Sequence, residues 1–233
     1  MDLVREIERA ALATWPASTV ERRDGWVLRH CDRLSRRRSN SAVPLRRIPD
    51  VESLERFYVE RAAAPAVQIS PLERYRALDA ELAERGYRVD APVTCMHNDV
   101  AVIADIEASD FEIRLDETPH PRWFAAVVAT GGEPEPALDR TPQPVGFAIA
   151  THRGTPVGVS MFAAAGDWCG VYGMRTSPDW RRRGVAAALL RAGARWTSAA
   201  RIFLQVADDN PVARSRYESL GFQRSHGYHY RLG

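Results

Sequence analysis

Arg181-Arg182-Arg183-Gly184-Val185-Ala186 stands where an alternating strand pattern gives way to a helical one. The spacing predicts a strand over 168–176 and a helix from about Arg182 to Ala200, with Val185, Leu189, Ala192 and Trp196 on one face. A strand, a short turn and a glycine at a helix start leave several backbone N–H groups free and pointing one way, at the positive end of the helix dipole. That is the chemistry of an anion site. Glycine at 184 and alanine at 186 let a diphosphate approach the backbone, and the three arginines supply countercharge. Cations at a helix N-terminus are otherwise unfavourable by about 0.3 kcal/mol or more each, so three of them imply an anion.

A second constellation follows. Ile202 to Val206 is a nearly all-apolar strand, as a strand covered on both faces should be. Asn210-Pro211 then offers an N-cap with proline at the first helical position, and Gly221 stops that helix after three turns. Tyr217 lies one turn beyond Ala213, where its phenol could donate a proton or pack as an aromatic under a sheet. Phe222 to Leu232 has the aromatic alternation of a closing strand or hairpin.

Composition excludes much else. All 32 basic residues of the 233 are arginine, so there is no Schiff-base or pyridoxal-phosphate lysine, no P-loop lysine and no kinase-type strand lysine. Residues 1–105 carry 17 Arg against 17 Asp plus Glu, and residues 106–233 carry 15 against 13, so neither half has the charge of a nucleic-acid module. Arg36-Arg37-Arg38 reads as solvated surface. The three cysteines, Cys31, Cys95 and Cys169, form no CxxC pair, disulfide framework or zinc ribbon, which implies a reducing, cytoplasmic compartment. No run approaches the roughly 18 apolar residues of a membrane span, and Met1 to Trp15 reads as an amphipathic helix. His226 and His229, three apart on a strand, fall on opposite faces with no carboxylate or thiol beside them, so no metal site is expected.

Taken in order, Arg-x-x-Gly-x-Ala at a strand-to-helix turn, a strand, Asn-x-x-Ala-x-x-x-Tyr-x-x-x-Gly-Phe and a final strand resemble the GCN5-related N-acetyltransferase (GNAT) family over roughly residues 110–233. The matching positions are Arg181, Gly184 and Ala186, then Asn210, Ala213, Tyr217, Gly221 and Phe222. The resemblance implies an α/β (α+β) fold with a GNAT-like mixed sheet flanked by helices. It implies acetyl-CoA as cosubstrate, its diphosphate on Arg181, Arg182, Arg183, Gly184, Val185 and Ala186, its pantetheine and acetyl carbonyl on the backbone from Met174 to Thr176, and Asn210 on the pantetheine arm. Direct amine attack on the thioester then uses Tyr217 as general acid, without a metal or covalent nucleophile, so Cys169 reads as a small buried residue. One departure stands out: many relatives carry a glutamate base where this chain has Gly170, and Asp167, the nearest carboxylate, reads as part of a hairpin. The base is therefore a water chain, a group from elsewhere, or absent from a protein that binds with little turnover.

The elements that must hold these residues fall into two groups. Residues 1–105 show strand signals at 25–30 and 39–45, a helix at 51–61, a strand at 66–69, a helix at 72–85 stopped by Gly86, and a strand at 87–96. Ala129 to Pro144, with Gly131-Gly132 and four prolines, reads as an exposed loop. Strands at 145–151 and 156–163 lead into the second group, 110–233. Strand, helix, glycine stop and aromatic recur at 66–87 and 203–222, a pattern produced by duplication or by any two βαβ units that end on glycine. The first group lacks Arg-x-x-Gly-x-Ala before its helix and has Leu82 where Tyr217 stands in the second. It reads as a degenerate GNAT-like half that extends the sheet and walls the acceptor pocket. The expected activity is acetyl transfer to a primary amine of a small molecule by a monomer or homodimer, without nucleic acid or membrane; the alternative is an acyl-CoA-binding sensor or scaffold. Acceptor selectivity belongs to early helices and loops, and Trp123 to Pro144 offers no signal for it.

Overall fold

The computed structural model describes residues 2–15, 17–33, 36–45, 49–134, 138 and 141–233. In chain order the elements begin α1 (Leu3–Thr14), β1 (Thr19–Arg23), β2 (Trp26–His30), β3 (Val43–Pro44), α2 (Val51–Val59), β4 (Ala66–Ile69), α3 (Arg76–Glu84) and β5 (Arg88–Asp99). There follow α4 (Val100–Ala104), β6 (Glu112–Asp116), α5 (Pro121–Ala129), β7 (Val145–His152), β8 (Thr155–Ala165) and β9 (Trp168–Thr176). The last are α6 (Val185–Trp196), β10 (Arg201–Ala207), α7 (Pro211–Ser219) and β11 (Gln223–Leu232). They cluster into two compact units that interleave along the chain.

One unit comprises Met1–Pro16, Met96–Gln205 and Val212–Ser225. Its strands hydrogen-bond in the order β10-β9-β8-β7-β6, parallel between β10 and β9 and antiparallel elsewhere. Helices α1, α5 and α6 pack on β8, so the middle strands are apolar on both faces. Two glycines seat α6: a Cβ at Gly158 would lie 2.5 Å from Val185, and one at Gly193 would lie 2.2 Å from the Phe162 ring. The helix is shorter than the sequence suggests, because Gly184 at φ +90° sets its start and Thr197 ends it in extended backbone. Its buried residues include Leu190, Gly193 and Ala194, whereas Ala192 and Trp196 stay partly exposed. A further correction concerns α5, which fills part of a stretch in which no helix is expected. His120 caps the Arg122 N–H at 3.1 Å, Pro121 opens the helix, and Trp123, Ala126 and Val127 are buried. Of the expected loop 129–144, residues 135–137 and 139–140 lie outside the described residues.

The other unit comprises Ala17–Cys95, Val206–Pro211 and His226–Gly233. It holds an antiparallel β1-β2-β3 sheet, with β4, β11 and β5 side by side in that order. The strand expected over 39–45 shrinks to β3, preceded by a 3-10 turn at Arg37–Ser39. The last element is one strand, β11, antiparallel to β4. Trp26, Leu28, Leu54, Phe57, Tyr58, Val67, Leu78 and Leu82 form its core. Ala42 bridges Val67 in parallel, through Ala42 N–H to Ala66 at 2.8 Å and Gln68 N–H to Ala42 at 2.9 Å, with α2 as the crossover. That strand-helix-strand unit followed by α3 repeats the order of β9, α6, β10 and α7. Among the described residues no helix is long and apolar enough to cross a membrane.

Candidate active site

The parallel ladder between β9 and β10 runs from Trp168/Arg201 to Val171/Leu204 and then ends, although β9 continues to Thr176. On its other side β9 stays paired with β8 through Arg175 and Thr176, across a register shift between Val159 and Met161 that leaves an extra residue near Gly173, at φ +57°. A bulge of this kind increases local twist and turns the strand end away from its neighbour. Ser177 N–H bonds the Val157 carbonyl at 2.9 Å, so the two-residue period points the backbone groups of Thr176 and Met174 to the unpaired edge. Among the described residues, this edge of β9 past Val171 carries backbone donors and acceptors with no strand partner.

The turn that follows carries the arginines. Ala188 N–H donates to the Gly184 carbonyl at 3.0 Å as the first bond of α6, so the N–H groups of Val185, Ala186 and Ala187 have no intrahelical acceptor. A Cβ on Gly184 would meet nothing within 4 Å, so the backbone is open to approach. Arg182 also takes a left-handed conformation, φ +61°, uncommon outside glycine. Trp180 anchors the turn against His152 (ring centroids 4.6 Å) and Phe111 (6.0 Å), and the Arg183 guanidinium lies 5.0 Å from its centroid. Arg181, Arg182 and Arg183 are exposed, and among the described residues none of them forms an ion pair. Unbonded N–H groups, an open glycine and unpaired guanidiniums fit a diphosphate.

Tyr217 sits half-buried on α7 with its ring 5.8 Å from that of Phe222. Burial pushes its phenol up to about 12, so it stays protonated at neutral pH. Among the described residues its hydroxyl has no hydrogen-bond partner. Phe222 N–H bonds the Tyr217 carbonyl at 3.0 Å around Gly221, φ +85°, which closes the helix as the sequence suggests. Asn210 belongs to the other unit, in the turn after β10, where its N–H bonds the Ala207 carbonyl at 3.0 Å.

No carboxylate could stand at 170. A Cβ there would lie 2.6 Å from the Tyr172 ring, which covers that position. The Tyr172 hydroxyl is 2.5 Å from that of Thr14, and its ring lies 4.9 Å from that of Trp15. Cys169 is fully buried, and burial pushes its thiol up to about 12, the behaviour of a packing residue. Asp167 occupies the β8–β9 turn.

The histidine reading needs correction. His226 and His229 do face opposite sides of β11, but neither lacks such a neighbour: the Cys95 thiol lies within 4.8 Å of a His226 ring nitrogen, and His229 Nε2 is 2.9 Å from Asp79 Oδ1, supplied by α3 from 150 positions upstream. Arg231 Nε donates to the same oxygen at 2.7 Å. Burial works to raise the Asp79 carboxyl, and these hydrogen bonds outweigh it, holding it below its ordinary value. The pair lies beside a pocket of about 350 Å³ lined by Ile69, Tyr75, Asp79, Val93, Asp208 and His229 among others, all from the second unit. No local pattern announces it, because its walls come from four separate stretches of chain.

Comparison with known proteins adds the following. The family model described as "Probable histone acetyltransferase Rv0428c C-terminal" matches residues 2–231. The chain is 25% identical over 248 residues to the uncharacterized N-acetyltransferase YobR of Bacillus subtilis (strain 168), covering 100% of this chain and 99% of that protein. Its fold is similar to that of a GCN5-related N-acetyltransferase from Kribbella flavida, with TM-score 0.74, 15% identity, and 99% and 93% of the two chains covered. It is also similar to a tandem GNAT protein from the clavulanic acid biosynthesis pathway, with TM-score 0.59, 12% identity, and 77% and 66% covered.

Proposed function

We propose, from the premise that the chain belongs to the family of the Rv0428c C-terminal domain and is an acetyl-CoA-dependent N-acetyltransferase of GNAT type, that it acetylates the primary amine of a small molecule. The observation that carries the cosubstrate site is the ladder ending at Val171/Leu204 beside a turn of unbonded N–H groups and unpaired arginines. Acetyl-CoA supplies an acyl group activated by a thiol leaving group. The N–H groups of Val185, Ala186 and Ala187, with Arg181, Arg182 and Arg183, hold the diphosphate. Met174 and Thr176 offer backbone groups to the pantetheine and acetyl carbonyl, and Asn210 steadies the pantetheine arm. Tyr217 donates its phenolic proton toward the departing sulfur, a role that suits a group held protonated.

The N-terminal half reads as a decayed repeat. Where α6 leaves its first N–H groups open, the Asp50 side chain caps α2 by accepting from Glu52 N–H at 3.1 Å, so a carboxylate takes the place an anion would need. Tyr75 closes the end of β3, its hydroxyl bonding the Pro44 carbonyl at 2.6 Å. Leu82, opposite number of Tyr217, is fully buried in the core. The small-molecule reading is supported only by size: the unit that contains Asp79 and His229 holds a pocket at the low end of the ligand-site range, roughly 300–1,000 Å³. A lysine of a basic protein is the second reading, favoured by the histone acetyltransferase description of the matching family. The test is free-thiol release from acetyl-CoA across a panel of small primary amines and a lysine-containing histone-tail peptide. Turnover on a small amine with none on the peptide supports the first reading; the reverse supports the second, and coenzyme A binding without any turnover turns the protein into an acyl-CoA sensor.

A further inference from the structure

We infer that the acceptor amine carries an oxyacid group, a carboxylate or a phosphate, and that Arg175 binds that group. This rests on the small-molecule reading of the acceptor and names the acceptor's class. Arg175 stands between Met174 and Thr176, the two residues assigned to the pantetheine and acetyl carbonyl, in the same compact unit as the arginine turn.

Helices cover both faces of that unit's sheet, and the faces differ. Consecutive residues of a strand point to opposite sides. On β7, a Cβ at Gly146 would lie 3.2 Å from Trp196 of α6, whereas the Phe147 ring lies 5.2 Å from that of Trp123 on α5. So α6 and α5 lie on opposite faces. The N-terminus of α6 carries the turn assigned to the diphosphate, and the Arg175 side chain leaves β9 on the other face: its Nη1 donates to the Gly131 carbonyl at 3.2 Å, just past the end of α5. An acetyl group held on the edge of β9 turns its carbon toward both faces, and the face away from the diphosphate is the one left for the amine. Arg175 is the cation on that side.

The guanidinium is given a place but not a counterion. Gly131 has φ +79°, where glycine is favoured, but Gly132 has no such backbone reason to be glycine. A Cβ at 132 would lie 2.6 Å from Arg175 Nε and 2.7 Å from Val127, so the missing side chain makes room for both. Nor does α5 need the arginine as a cap. Gly132 N–H bonds the Val127 carbonyl at 2.8 Å and Gly131 N–H the Val128 carbonyl at 2.9 Å, a pairing that closes a helix by itself. Thr130 Oγ1 adds bonds to the Ala126 and Val127 carbonyls at 2.9 and 3.0 Å. Among the described residues Arg175 Nε and Nη2 make no hydrogen bond, and the half-buried guanidinium forms no ion pair, not even with Glu133 beside Gly132. Its planar fork matches a carboxylate or a phosphate through two parallel bonds. A basic protein tail would bring like charge to the same place, so Arg175 favours an acidic small amine over a histone lysine.

The experiment sets wild type beside Arg175→Gln, which keeps a donor for the Gly131 carbonyl, and Arg175→Lys; coenzyme A binding by all three checks that they fold. Matched pairs are assayed by thiol release from acetyl-CoA: L-phenylalanine against 2-phenylethylamine for a carboxylate, and O-phosphoethanolamine against ethanolamine for a phosphate. We expect wild type to prefer the acid of at least one pair, and the ratio of kcat/KM within that pair to fall about 10- to 100-fold in Arg175→Gln, through KM, as a charge-assisted contact is lost. Arg175→Lys should recover part of the ratio, because it keeps the charge without the fork. A wild type that prefers neither acid, or an unchanged ratio in Arg175→Gln, overturns the assignment. If no small amine is acetylated, the small-molecule reading fails on its own account, and calorimetry on the N-acetylated forms of the four compounds, with and without coenzyme A, decides Arg175. The acid of at least one pair should then bind wild type more tightly than its partner and lose that advantage in Arg175→Gln; equal affinities within both pairs overturn the oxyacid site.

Discussion

Two side chains can be tested at the level of single atoms. Tyr217→Phe keeps the ring and its contact with Phe222, so folding and coenzyme A affinity should hardly change. Loss of the phenolic proton should slow transfer by about 10² to 10⁴, and a thioester with a more acidic thiol should recover part of that loss in stopped-flow assays limited by chemistry. Full activity of the phenylalanine variant would remove Tyr217 from the mechanism. The proposed diphosphate site needs a test substitution that does not strain the backbone. Gly184 is unsuitable, because any side chain at φ +90° costs energy whatever the ligand does. Ala186→Asp puts a carboxylate in the first turn of α6, where it interacts favourably with the helix dipole by about 0.3–1 kcal/mol while repelling a bound anion. Coenzyme A at about a hundredfold over its dissociation constant should stabilise the wild type by roughly 2.7 kcal/mol and the variant by far less, as thermal unfolding would report.

Among the elements, α6 does most to position the site, and it depends on close seating. Gly193→Ala sets two effects against each other: alanine in a helix interior is favoured over glycine by about 1 kcal/mol, but the new methyl would lie 2.2 Å from the buried Phe162 ring. Gly193 and the Phe162 ring are both buried, so overpacking by about 1–3 kcal/mol should win. Chemical denaturation should show a lower midpoint with an unchanged slope; a more stable variant would mean that α6 can lift off β8. The bulge on β9 matters in a different way, since it lies just past the last pair of the parallel ladder, Val171/Leu204, and twists the strand end that carries Met174 and Thr176.

For the molecule as a whole, the repeated order of strand, helix, strand and helix raises the question of one cosubstrate site or two. The carboxylate cap at Asp50 and the Tyr75 plug at Pro44 predict one coenzyme A per chain by calorimetry. Two equivalent sites would refute the decayed-repeat reading. The compact units also interleave: the N-terminal helix α1 joins the unit that carries β9, where Thr14 and Trp15 hold Tyr172 over Gly170.

Features governed by a few neighbouring residues could be read directly from the sequence. Arg-x-x-Gly-x-Ala at a strand end, the glycine stops at Gly86 and Gly221, and the opening of α7 at Pro211 all appear where expected, because caps and left-handed glycines act within one turn of chain. The same locality explains the misses. Helix α6 looks longer in sequence because alanines and arginines propagate a helical pattern past the points where Gly184 and Thr197 break it. Helix α5 hides among glycines and prolines because its burial comes from packing on β7 and β8, not from a long period. Only tertiary structure decided that Tyr172, bonded to a threonine 158 positions away, fills the space of a missing carboxylate, and that Asp79 meets His229 across 150 positions. Such pairs are set by strand register and helix docking, which local residue preferences do not encode, whereas the turn we propose for the diphosphate is built from consecutive residues and so is written in the chain itself.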